Sequence, residues 1–110
     1  MKSCIHHAAL NVADIAWYRA FFEKVFEMTI ERIDGEAPSR KIWFAEGIQL
    51  NEAAEAGCIG DICDHISIGV EDIPGTVEKA VEAGCTRLPK GPHWFALPNG
   101  VRIELKPPRK

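Results

Sequence analysis

Long apolar runs are what this sequence most clearly lacks. No stretch of its 110 residues approaches the roughly 18 apolar residues needed to cross a bilayer. The opening "MKSCIHHAAL" has no long apolar segment followed by a small-residue cleavage site. A soluble, cytoplasmic protein with no membrane partner is therefore expected. A surplus of positive charge is missing too: 13 Lys and Arg stand against 16 Asp and Glu, for a net charge of −3, and the basic residues are scattered. Without a basic stripe there is nothing to track a phosphate backbone, so nucleic acid is not an expected partner. Cysteine is sparse. Cys4, Cys58, Cys63 and Cys85 show no Cys-x-x-Cys spacing, and all four are expected as free thiols. What remains is a chain with 46% hydrophobic residues, enough for one core and too short for two ordinary independent domains, so residues 1–110 are expected to form a single domain.

What the chain does have is a repeated phrase. "HHAALNVAD" begins at position 6 and "DHISIGVED" at position 64, so that His-x-x-x-x-Val-x-Asp occurs twice, 58 positions apart. The first copy reads as a strand ending at Asp14, a good helix N-cap. Tyr18, Phe21, Phe22 and Val25 then recur at the period of one buried helix face. "MTIERI", "KIWFA" and "IQLNEA" follow as strands, with "DGEAPS" as a loop and "EG" as a short turn. After "AEAGCIGD" the pattern restarts. "DHISIGV" is a strand, Asp72 an N-cap with Pro74 in the first turn, and Val77, Ala80 and Val81 share a helix face that stops at Gly84. "TRLPK", "HWFAL" and "VRIELK" complete the copy, the last two joined by the turn "PNG". Each half is thus βαβββ, over about 3–53 and 62–107, and the fold class is α+β built by internal duplication.

The two-residue period of a strand then sorts the polar residues by face. Ile66, Ile68 and Val70 fall on the face that the helices cover, leaving His65, Ser67 and Gly69 on the other. By the same test Leu10 and Val12 share parity with His6, so His7, Ala9 and Asn11 lie opposite, and His7 rather than His6 matches His65. Ile48 and Leu50 are set against Gln49 and Asn51. Val101, Ile103 and Leu105 are set against Arg102, Glu104 and Lys106. Four potential donors, His7, Gln49, His65 and Glu104, therefore stand on the faces away from the helices. A single strand histidine is ordinarily structural, and the coincidence of equivalent positions in two copies is what marks these. Two imidazoles, an amide and a carboxylate suit a divalent cofactor ion such as Zn, Ni, Fe or Mn, with one or two positions left for water or substrate.

From "IHHAALNVADIAWYRAFFEKVF" to "LPNGVRIELKP" the chain resembles the vicinal oxygen chelate superfamily, which includes glyoxalase I, extradiol dioxygenases, methylmalonyl-CoA epimerase and bleomycin- and fosfomycin-resistance proteins. The resemblance implies two βαβββ modules forming a curled mixed sheet around a concave metal site. Its ligands, carried over by position, would be His7, Gln49, His65 and Glu104. It implies a glyoxalase-like lyase or isomerase in which the ion chelates two neighbouring oxygens of a small-molecule substrate and stabilises an enediolate. Glu104 would be both ligand and catalytic base, since an amide takes no proton at neutral pH. Asn11, Trp43, Ser67, Trp94 and Arg102 would contact the substrate. Asn11 and Ala53 stand where bacterial glyoxalase I has the Arg and Asn that hold glutathione, so that co-substrate is not implied. Two other readings remain open: an Fe(II) extradiol-type dioxygenase using His7, His65 and Glu104, and a non-catalytic binding protein of the resistance type with Trp43 and Trp94 as stacking walls. A homodimer is the expected assembly. Whether the four ligands come from one chain or from two partners is left open by the sequence.

Overall fold

Alternating apolar residues build the strands, and two capped amphipathic stretches build the helices. The computed structural model describes residues 6–53 and 65–108. The chain divides into two compact units, Met1–Ala56 and Gly57–Lys110. Cys4, Cys58, Cys63, the whole of the loop "AEAGCIGD", Asp64 and the last two residues of the tail "PPRK" lie outside the described residues.

The first unit comprises β1 (Ala8–Val12), α1 (Ile15–Val25), β2 (Ile30–Asp34), β3 (Lys41–Phe44) and β4 (Ile48–Glu52). Its four-stranded sheet has the order β1-β4-β3-β2. β1 pairs with β4 in parallel, Ala9 opposite Gln49 and Asn11 opposite Asn51, while β3 pairs antiparallel with both β4 and β2. A parallel pair needs a long crossover, which α1, β2 and β3 provide. Asp14 caps α1 by accepting a hydrogen bond from the Trp17 N–H. Tyr18, Phe21 and Phe22 are buried as the spacing predicts. Ile15 joins them, and Val25 is only half-buried. The helix packs on β4, and Phe22 meets Phe44 with ring centroids 5.8 Å apart.

The second unit repeats this plan: β5 (Ile66–Gly69), α2 (Ile73–Ala83), β6 (Thr86–Arg87), β7 (Trp94–Ala96) and β8 (Arg102–Lys106). Its sheet order is β5-β8-β7-β6, with β5 parallel to β8 and the other pairs antiparallel. Asp72 accepts from the Gly75 N–H, Pro74 sits in the first turn, and α2 ends where Gly84 adopts φ +122°, its N–H closing on Ala80 and Val81. The "PNG" turn closes through Gly100 at φ +92°, whose N–H donates to the Leu97 carbonyl at 2.8 Å. Val101, Ile103 and Leu105 are buried and Lys106 is exposed, as the alternation requires. Each unit thus presents an open, mixed four-stranded sheet whose central last strand lies between the first and third strands of its own copy. Among the described residues no helix is long and apolar enough to cross a membrane.

One sequence expectation needs adjustment. The first strand begins at Ala8 and the fifth at Ile66, so His6, His7 and His65 precede their strands, and the alternation that sorted them by face does not reach them. His6 is exposed and its Nδ1 lies 2.8 Å from Nδ1 of His7.

Candidate functional site

In each unit the face away from the helix carries a cross-strand row of the predicted residues. The central strand supplies the middle of the row because both its edges are paired, which fixes the side chains on either side.

In the first unit the row is Ala9, Gln49 and Trp43. Gln49 is the one buried polar side chain among the described residues, 9% exposed. Its Nε2 donates to Oδ1 of Asn51 at 2.7 Å, and Nδ2 of Asn51 donates in turn to Oδ1 of Asn11 at 3.4 Å. Among the described residues no donor reaches Oε1 of Gln49. His7 is exposed two positions before Ala9, with its Nδ1 engaged by His6; a bond at one ring nitrogen leaves the other for a ligand. Trp43 is half-buried and carries the Arg32 guanidinium 4.0 Å from its ring centroid. At the end of β4, Arg40 grips Glu52 through Nε and Nη2 at 2.8 and 2.7 Å, and its backbone N–H adds a third bond at 3.0 Å. These bonds hold the Glu52 carboxyl down at about 2, so this nearby carboxylate is committed to structure.

In the second unit the row is Ser67, Glu104 and Trp94. Oε1 of Glu104 accepts from the Ser67 hydroxyl at 3.3 Å and lies 3.5 Å from Nε2 of His65. Oε2 lies 3.9 Å from both His93 Nε2 and Lys106 Nζ. Trp94 forms the wall beside them, its ring 4.8 Å from that of His65 and 6.0 Å from that of His93, with Lys90 Nζ 4.7 Å above it. Arg102 shares the parity of Glu104 and is half-buried opposite Ala96. The second unit therefore gathers His65, Ser67, Trp94 and Glu104, and the first aligns Asn11, Gln49 and Trp43. No hydrogen bond joins His7 to Gln49. His93, Asn51 and the cations over both tryptophans, Arg32 and Lys90, were not among the residues assigned to the site from the sequence. The parity of Asn51 with Gln49 was a usable signal, whereas His93 precedes its strand and carries no parity.

Among the described residues no group of three or more His, Cys, Asp or Glu side chains is assembled to hold a metal ion. Each unit nevertheless offers donors of the kind a divalent ion takes: in the first, Nε2 of His7 is left by the bond at Nδ1 and Oε1 of Gln49 accepts from no donor among the described residues, and in the second, His65 stands beside the Glu104 carboxylate.

No family model and no curated protein matches the chain. Solved structures do. The fosfomycin resistance protein FosX of Listeria monocytogenes superimposes with a TM-score of 0.78 at 18% identity, covering 99% of this chain and 94% of that one. FosX of Mesorhizobium loti gives 0.75 at 17% identity, with the same shares covered. Glyoxalase I of Leishmania major, described as trypanothione-dependent, gives 0.76 at 17%, covering 96% of this chain and 87% of that one. A variant of the Listeria protein was solved with Mn(II) and 1S,2S-dihydroxypropylphosphonic acid bound. Identities this low speak to the fold alone, and they do so across nearly the whole chain: it has the fold shared by FosX and glyoxalase I.

Proposed function

We propose that the chain is a divalent-metal-dependent enzyme of the vicinal oxygen chelate type, a glyoxalase-like lyase or isomerase acting on a small vicinal-dioxygen compound. The observation that carries this reading is the set of His65, Ser67 and Trp94 around Glu104, the one carboxylate in its row. In this reading His7 and Gln49 of the first module and His65 and Glu104 of the second are the ligands. The Mn(II) bound by the Listeria FosX variant supports the same type of ion here. A divalent cation would supply positive charge to two neighbouring substrate oxygens. Glu104 takes the proton from the carbon beside the carbonyl at Oε2, because Oε1 is occupied by the Ser67 hydroxyl, and returns it to the adjacent carbon. In this reading Ser67, Trp94 and Arg102 of the second module and Asn11 and Trp43 of the first are the residues that contact substrate. Homodimerisation belongs to the same proposal, as does a place in the cytoplasm.

A second reading is favoured by charge. Lys106 lies beside Glu104, Arg102 shares its parity and Lys90 lies over the ring of Trp94 across the strand from it, an excess of cations suited to an anionic ligand such as a phosphonate, and FosX is among the similar structures. Glu104→Gln separates the two. Lyase or isomerase chemistry predicts a loss of turnover of at least about 100-fold in that variant, with the fold retained by circular dichroism. Full activity in Glu104→Gln would sink the proposed base. Retention of a phosphonate with no turnover of any hemithioacetal would favour the second reading.

A further inference from the structure

An amide is an ambiguous metal ligand. Its two ends are nearly the same size, yet only the carbonyl oxygen donates to a cation, and the NH2 group facing the ion would repel it. A carboxylate has no wrong end. A glutamine ligand therefore needs something to fix its rotation, and a glutamate at the equivalent position does not.

We infer that Asn51, itself held by Asn11, is a positioning residue that fixes the Gln49 amide with its oxygen free. The inference rests on the proposed metal site. Asn51 is two residues beyond Gln49 on β4, and Asn11 is its partner across β1, so the three amides share one face. The bonds run in one direction, from Gln49 Nε2 to Asn51 Oδ1 at 2.7 Å and from Asn51 Nδ2 to Asn11 Oδ1 at 3.4 Å. Turning Gln49 over would set its oxygen against that of Asn51, so reversal requires all three amides to turn together. The second module supplies the control. There the position two beyond the ligand is Lys106, and the partner across β5 is Gly69. The chain of amides exists in the copy whose ligand needs orienting and is missing from the copy whose ligand does not.

The test is Mn(II) affinity, measured on the full chain by titration calorimetry, in a cycle of Gln49→Ala, Asn51→Ala and Asn51→Asp. Outer partners of metal ligands are worth about 10–100-fold in affinity, so Asn51→Ala is expected to weaken binding by that factor. Asn51→Asp keeps the acceptor and cannot reverse the chain. Its affinity should match or exceed that of the unaltered protein, after subtraction of its effect in the Gln49→Ala background, which reads the added charge alone. In that background Asn51→Ala should cause no further loss. A purely structural role would lower the melting temperature and leave the cycle additive, which would overturn the inference. So would an Asp variant as weak as the Ala variant, since that means Asn51 donates to Gln49. If Gln49→Ala weakens binding and Asn51→Ala does not, this inference fails alone. If the unaltered chain binds no Mn(II), Ni(II) or Zn(II), the metal reading fails and takes it along.

Discussion

Leu50→Ala removes a side chain that lies between Gln49 and Asn51 in sequence but on the opposite face of β4. Leu50 is 0% exposed, with Leu10 and Ile42 as its cross-strand partners. Three buried carbons at about 0.8 kcal/mol each cost about 2.4 kcal/mol. The neighbours are strand side chains pinned by their own ladders and collapse only in part. A residual cavity of ~50 Å³ at ~24 cal/mol per Å³ adds ~1.2 kcal/mol. The expected loss is about 3.6 kcal/mol, which at a slope near 2 kcal/mol/M lowers the urea midpoint by about 1.8 M. Ile33→Ala is the matched control. Ile33 is the exposed large hydrophobic residue of the described chain, at 47% on the edge strand β2, and its truncation should stay within about 0.5 kcal/mol. Equal shifts for the two variants, or a Leu50→Ala shift below about 0.5 M, would refute the assignment of the helix-covered face as the source of the stability that holds the donor row.

Two further outcomes are expected. Glu52 titrates at about 2 in the folded chain against an ordinary 4.5, so its pair with Arg40 stabilises the fold fully above pH 4.5 and progressively less as pH falls toward 2. Urea midpoints across that range should fall less steeply in Glu52→Gln than in the unaltered protein, and parallel profiles would discount the pair. The Cys85 thiol is buried and pushed up to about 12. It should resist iodoacetamide at pH 8 and react on unfolding, read by peptide mapping, and rapid labelling of the folded chain would contradict its burial.

Much of the architecture was legible because two simple signals coincide. The two-residue alternation in "VRIELK" and "GIQLN" separates Ile103 from Glu104 and Leu50 from Gln49 without reference to anything distant. Asp14 and Asp72 mark helix starts by a local bond to a backbone N–H. What the sequence did not show depends on pairs that only a folded sheet creates. Arg32 meets Trp43 because β2 pairs with β3, and His93 reaches toward Glu104 because the loop before β7 brings it there. Nor could alternation say where a strand starts: β1 begins at Ala8 and β5 at Ile66, so it does not reach His6, His7 or His65, and the match of His7 with His65 stands as an expectation. The Asn11–Asn51 contact joins positions 40 apart in sequence, beyond the reach of any local pattern.

The parallel pairing of β1 with β4 has a consequence for error. Were β1 to slip by one residue, every side chain in it would change sides. Leu10 and Val12 would face water, and Asn11 would be pressed into the apolar layer under α1. A misaligned module is thus also an unstable one. The greasy side of the sheet serves as the ruler for the donor side, and a correctly spaced row of polar side chains comes with the folded state.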